Sequence, residues 1–258
     1  MIAFNFSNIR SNNPIGKIIR FPLSLLPTKS ILPILQGPAK GMKWIVGSGV
    51  HGMWLGSYEV DKQKLMTELS LEGTTVLDIG ANVGFFSILL SRLVGATGKV
   101  ISFEPLPRNL EFIHQHIQLN QIDNVEIISA AVSDKFGKNN FASSHLHAQG
   151  YLTDNGDLEV SVITLDSLHN LNNLVSLVKI DVEGAEANVL KGGEKFFQEH
   201  RPIILLATHG KKPANDCQVI LHKYNYSMTL INKDLYGFDC DEWLVKPNNQ
   251  VASYQQAP

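Results

Sequence analysis

The residues able to do chemistry in this chain fall at the ends of short apolar runs. Thr75-Val76-Leu77-Asp78-Ile79 leads into Gly80-Ala81-Asn82-Val83-Gly84, and a helical pattern begins at Phe85. Gly80 and Gly84 remove side chains where a ligand must lie close to the backbone. The helix that follows offers N-terminal amides and a positive dipole end. The next apolar run ends in Phe103-Glu104-Pro105, with Glu104 twenty residues after Gly84. That is the offset at which an acid meets ribose hydroxyls in nucleotide-binding α/β folds, and an ionised carboxylate can accept both hydroxyl protons. Pro105 keeps the chain from running straight into helix. Two more runs end in acids and a histidine: Asp181-Val182-Glu183-Gly184-Ala185-Glu186 after Ile180, and His209 after Leu205-Leu206-Ala207-Thr208. A histidine at such an edge, with a pKa near neutrality, is a candidate general base. Glu186 opens a helix and serves equally well as a first-turn acid complementing the dipole.

The glycine turn does not suit a dinucleotide. The fingerprint G-x-G-x-x-G would need glycines where Asn82 and Phe85 stand, so a pyrophosphate would meet side chains. A nucleoside cofactor with a carboxylate and no phosphates fits better.

These motifs need a scaffold, and the pattern supplies one. Strands are expected at Thr75–Ile79, Lys99–Phe103, Val125–Ala130, Val175–Ile180 and Ile203–Ala207. Helices are expected at Phe85–Val94, closed by Gly95, and at Arg108–Leu119. Continuous apolar strands separated by helices imply a doubly wound, mostly parallel α/β sheet covered on both faces. Ligands bind outside the carboxyl ends of such strands, at the point where the strand order reverses. The strand ending at Asp78 should be central, flanked by those ending at Phe103 and Ile180. Three segments are expected: an N-terminal extension or lid over residues 1–73, the catalytic domain over 74–247, and a frayed polar tail over 248–258. A helix is expected within the extension from Val60 to Leu71, stopped by Gly73. Between Ser133 and Asp166 the alternation lapses into a glycine-punctuated polar stretch containing His145 and His147, and Leu158 to Leu165 then alternates like a strand, so a β-hairpin or long loop is expected there.

Composition narrows the classes. A hydrophobic fraction of 44%, a charged fraction of 18% and a net charge of −2 describe an ordinary globular protein without a basic field for nucleic acid. Cys217 and Cys240 stand alone in sequence, which suits a reducing cytoplasm and offers no zinc spacing. The apolar stretch Phe21–Leu35 is interrupted by Pro22, Pro27 and Pro33, so no integral membrane segment is expected.

The three motifs together, Asp78 to Ser87, Phe103-Glu104-Pro105 with Asn109, and Lys179 to Glu186, resemble the FkbM family of methyltransferases over roughly Trp54 to His209. Ala131-Val132-Ser133-Asp134 and Leu165-Asp166-Ser167-Leu168 also fit. The resemblance implies a class I, Rossmann-like fold with a seven-stranded sheet, S-adenosylmethionine as cofactor, and methylation of a hydroxyl oxygen on a sugar, glycan or natural product. It implies that Asp78, Gly80, Ala81, Asn82 and Gly84 hold the methionine part of the cofactor. Glu104 and Pro105 would hold the ribose, Ala131 would border the adenine, and Asp181 would stand at the methyl end. Asp181, Glu183 and His209 become the catalytic candidates. Many members of the family carry an acid two positions before this histidine, and Ala207 departs from that pattern. A divalent ion on Asp181, Glu183 and His209 is a competing use of the same residues. The sequence shows no tight ligand spacing and oxygen methylation needs no ion, so none is expected. The extension would cover the site, with Trp54 and Tyr58 stacking on a ligand or simply packing. A binding protein that has lost catalysis is the rival from another class.

Overall fold

The computed structural model describes residues 23, 25–143, 150–152, 156, 158–168, 171, 173–232 and 240–248. The chain enters through an antiparallel ribbon, β1 (Ile31–Pro33) and β2 (Lys43–Ile45), and two short helices, α1 (His51–Leu55) and α2 (Val60–Glu68). Regular alternation follows: β3 (Thr75–Ile79), α3 (Phe85–Val94), β4 (Lys99–Phe103), α4 (Pro107–Asn120) and β5 (Val125–Ile128). A side branch is formed by β6 (Ala131–Val132), β7 (Gly137–Ser143), β8 (Gly150–Leu152) and β9 (Leu158–Ile163). The chain then returns through β10 (Val175–Ile180), α5 (Glu186–Lys191), α6 (Glu194–His200), β11 (Ile203–His209), α7 (Lys211–Lys223), β12 (Tyr226–Asn232) and β13 (Cys240–Pro247).

The main sheet has seven strands in the order β12-β13-β11-β10-β3-β4-β5. The five strands from β11 to β5 are parallel, and β13 runs antiparallel between β11 and β12. All five residues of β3 are buried, as expected of a central strand covered on both faces. One face is covered by α3 together with the extension: Trp44, Met53, Trp54 and Met66 pack with Phe85, Phe86, Ile88 and Leu89. The other face is covered by α5, α6 and α7, with Val189, Leu190, Phe196, Phe197 and Leu221 against Leu77, Val178 and Ile204. The extension is thus continuous with the core of the domain.

Several boundaries differ from the sequence reading, among them that β11 runs on from Ala207 to His209. Helix α2 ends at Glu68, because Leu69 turns to an extended conformation and Leu71 drops into the core. Gly73, at φ 74, belongs instead to the turn into β3. The strand expected to run to Ala130 leaves the sheet after Ile128, where the amide of Ala130 bonds back to Ile128 O, and Ala131 and Val132 pair with β9. The stretch expected as a hairpin or loop is part of a four-stranded sheet, β6-β9-β7-β8. His145 and His147, and all but Asn248 of the expected tail, lie outside the described residues.

His116 seats the extension on the core. Its ring stacks on Trp44 with centroids 3.8 Å apart, Nε2 accepts the amide hydrogen of Ile45, and Nδ1 donates to Val83 O at 2.9 Å. This pattern requires the neutral ring, because protonation would turn the Nε2 acceptor into a donor facing a donor. Burial pushes its pKa down to about 4, against the opposing pull of Val83 O. With a folded pKa below the unfolded value, its contribution is full above about pH 6.5 and is lost as pH falls toward 4. The loss amounts to at most about 3 kcal/mol. Ring NMR should show His116 unprotonated at pH 5.5; a titration midpoint above 6 would overturn this account.

Candidate active site

The carboxyl ends of β3, β4 and β10 converge on a cavity of about 880 Å³, counting its open mouth. Tyr58 and Met53 of the extension line it, as do Gly80, Ala81, Asn82, Phe85 and Phe86. Glu104, Pro105 and Asn109 form another wall. Ala131 and Phe141 come from the small sheet, and Lys179, Asp181 and Glu183 from the end of β10. Trp54 is buried instead, its indole N–H donating to His51 Nδ1 at 3.0 Å.

The turn after β3 is shaped by close approach. Gly80 has φ 77, and a Cβ there would lie 1.9 Å from the carbonyl oxygen of Asp181, so no other residue fits without moving β10. Gly84 lies outside the cavity lining; a Cβ there would press on Ile113 of α4 at 3.1 Å. All five amides from Gly80 to Gly84 donate within the protein: two to Phe103 O, one to Glu104, one to Asn82 Oδ1 and one to Ala81 O. The turn therefore offers a ligand bare backbone surface, with its amides already committed.

Asp78 is sealed beneath this turn. It is fully buried, accepts the Ser87 hydroxyl at 2.7 Å and lies 3.3 Å from Lys179 Nζ, outside the lining of the cavity. The resemblance implied contact with the cofactor; the structure makes it a support for the turn. Lys179 was quoted only as a letter of its motif. It is 3% exposed, and its ammonium donates to Gly80 O at 2.7 Å and faces Asp181 at 3.8 Å. The available signal was a lysine inside a mostly apolar central strand.

Glu104 is also buried. Its carboxylate accepts the amides of Asn82 at 2.8 Å and Leu106 at 2.9 Å, and the Asn109 side chain at 3.2 Å. A carboxylate has about four acceptor positions, so one remains, where the sequence reading had both hydroxyls of a ribose bound. Burial pushes its pKa up to about 7 against those three bonds.

The acids after β10 and the histidine that ends β11 meet. His209 Nε2 is 3.4 Å from Glu183 and 3.8 Å from Asp181, while Nδ1 is 2.8 Å from Glu186. Burial pushes the imidazole down, but the Cys240 thiol, Glu186 and Asp181 outweigh it and raise the pKa to about 11. The expectation of a near-neutral imidazole is corrected accordingly. Burial also pushes the Asp181 carboxyl up, but Lys179, Lys62 and His209 hold it below its usual value. Glu186 opens α5 as a first-turn acid, and its Oε1 also accepts the Gly184 amide while facing His209. Ala207 is opposite Glu242 on β13, so a carboxylate stands on the same sheet face, paired with the buried Lys62 at 2.9 Å.

Removing a buried cation while its partners stay is costly. Lys179→Met should lower unfolding free energy by about 3–5 kcal/mol in denaturant titrations. A loss below 1 kcal/mol would show that Asp78 and Gly80 do not depend on this ammonium.

Comparison with known proteins agrees with the motifs. The model of the methyltransferase FkbM domain matches residues 78–238. A hexuronic acid methyltransferase, AglP of Haloferax volcanii, is 25% identical over 181 residues, covering 68% of this chain and 74% of its own. The solved methyltransferase FkbM from Methylobacillus flagellatus is 18% identical with a TM-score of 0.48; the match covers 68% of this chain and 44% of that one. An rRNA methylase from Streptococcus thermophilus shares the fold at 10% identity and a TM-score of 0.50, over 74% of this chain and 96% of its own. The sheet order, the turn after β3 and the family match over more than half the sequence lead to one conclusion: the chain belongs to the FkbM family of methyltransferases.

Proposed function

We propose that this protein transfers a methyl group from S-adenosylmethionine to a hydroxyl oxygen of a sugar, glycan or related small molecule. The observation that carries this reading is that the glycine turn, Glu104, Asp181 and Glu183 all line one cavity. The lining suits this cofactor. Lys179 is the one cation among the described lining residues, and it is committed to Asp78, Gly80 and Asp181, so phosphates find no free partner. A zwitterion with a positive sulfur and no phosphates fits an acidic cleft. The sugar acceptor is supported by the hexuronic acid methyltransferase among the relatives. A cytoplasmic setting is supported by Cys217 and Cys240, both free. Among the described residues no helix is long and apolar enough to cross a membrane.

When bound, S-adenosylmethionine supplies an electrophilic methyl group on a sulfonium. In this reading Glu104 accepts a ribose hydroxyl, Pro105 and Ala131 flank the base and sugar, and Gly80 to Asn82 give the amino-acid part an open path. Asp181 and Glu183 line the same cavity, whereas His209 is outside its lining and has Nδ1 turned to Glu186. The carboxylates are thus the groups that orient the acceptor hydroxyl and take its proton as the oxygen–carbon bond forms and the sulfur keeps the electron pair of the broken bond.

Two outcomes are expected. Asp181→Asn and Glu183→Gln should bind the cofactor nearly normally in calorimetry, with at least one losing about 10²–10⁴ in turnover. Wild-type turnover in both would move the reaction elsewhere. Cofactor affinity should also rise with pH through about 7, because a hydroxyl donates only to ionised Glu104. The change should be about tenfold between pH 6 and pH 8. Asp181 and Lys179 keep their charges over that range, the one held low and the other high. Glu104→Gln should flatten the dependence; a profile unchanged by that substitution would remove Glu104 from the ribose.

A further inference from the structure

We infer that Asp181, Glu183 and His209 bind one divalent cation that accepts mixed nitrogen and oxygen donors, such as Mn2+ or Zn2+. One donor atom from each residue lies within 4.8 Å of the other two. Nε2 of His209 faces both carboxylates without closing on either: 3.4 Å to Glu183 is long for a charged hydrogen bond, and 3.8 Å to Asp181 is outside one. Such separations are the edges of a coordination shell, since bonds of about 2.1 Å in a tetrahedron put ligand atoms about 3.4 Å apart.

A second observation points the same way. Metal-bound histidines donate their other ring nitrogen to a carboxylate, which fixes the tautomer and the ring's direction. Nδ1 of His209 does this with Glu186 at 2.8 Å. Glu186 is fully buried, and its Oε2 has no hydrogen-bond partner among the described residues. A buried carboxylate held against a ring whose Nε2 faces two further carboxylates is the arrangement of an ion site, the ion displacing the Nε2 proton. The charge agrees: three carboxylates surround the ring, and the two ammoniums near Asp181 are shared, Lys179 with Asp78 and Lys62 with Glu59 and Glu242.

Three protein donors leave coordination positions open on the side where Asp181 and Glu183 line the cavity. Neighbouring oxygens of a sugar diol or a uronic acid would chelate there. That use rests on the proposed methyl transfer; occupancy by the ion does not.

The test uses the full chain, stripped with chelator and titrated separately with Mn2+, Zn2+ and Mg2+, by calorimetry and, for manganese, by electron paramagnetic resonance. One equivalent of Mn2+ or Zn2+ should bind saturably and raise the melting temperature. Glu183→Gln, partly exposed and so tolerant, should weaken binding at least tenfold, as should His209→Gln. Glu186→Gln should weaken it about 10–100-fold while the stripped variant melts within a few degrees of the stripped wild type. Absence of saturable binding of any of the three ions at millimolar concentration would overturn the site. So would undiminished affinity in folded Glu183→Gln and His209→Gln. S-adenosylmethionine binding measured on the same samples separates the two readings: its persistence without an ion defeats only the ion, and its absence beside a bound ion defeats only the methyl donor.

Discussion

The site depends on one buried ammonium. Lys179 pairs in register with Asp78 across the two central strands, so its side chain emerges where the first glycine turn leaves the sheet. There it is almost completely withdrawn from water, a state that needs close anionic partners and a hydrogen-bond acceptor. Asp78, Asp181 and the carbonyl of Gly80 supply them. The same contacts join the end of β3, the turn and the end of β10 into one rigid corner. The corner is tight enough that the carbonyl of Asp181 occupies the space a side chain at position 80 would need. The glycine turn and the acids after β10 are therefore placed by one interaction.

The extension is the second fixed wall. Lys62 on α2 is buried over the Phe86 ring and held by Glu59 and Glu242, which ties the extension to β13 on the far side of the sheet. Arg92 of α3 donates to the carbonyls of Pro38 and Lys40, and His116 clasps Ile45 and Trp44. These contacts, with the shared core, hold Tyr58 at the cavity edge against Phe85. Tyr58 is a packed side of the site, in a place where a mobile cover would have needed fewer polar ties.

How much of this was legible depends on how locally each feature is encoded. The central strands read directly because burial on both faces leaves a largely apolar run, and the place of Glu104 beside the glycine turn read directly because its spacing is set by one helix and one strand. The strands β12 and β13 did not read: much of each is half-exposed, and β13 includes Asp241 and Glu242. The four-stranded side sheet read only as a hairpin or long loop because polar residues make up much of β7. Distance-dependent charge was the least legible. Nothing local to His209 tells that Glu186, twenty-three residues before it, and Cys240, across a strand, surround the ring. Asp78 looked like a ligand contact because it ends the right strand, and only packing shows it beneath the turn.

Charge also decides between the nucleotides that the fold could hold. On sequence grounds the dinucleotide fails sterically, because Asn82 and Phe85 replace glycines. The structure adds a stronger electrostatic reason. The described lining carries Glu104, Asp181 and Glu183 against Lys179, whose charge is already shared with Asp78. Two phosphates in that cleft would face carboxylates with no free cation and no uncommitted amide between Gly80 and Gly84. Unscreened like charges at such distances cost several kcal/mol in a partly buried site. A positive sulfur or a divalent ion faces the same carboxylates with the opposite sign. The features that exclude a pyrophosphate therefore favour a cation at the end of the cavity where the acids of β10 converge.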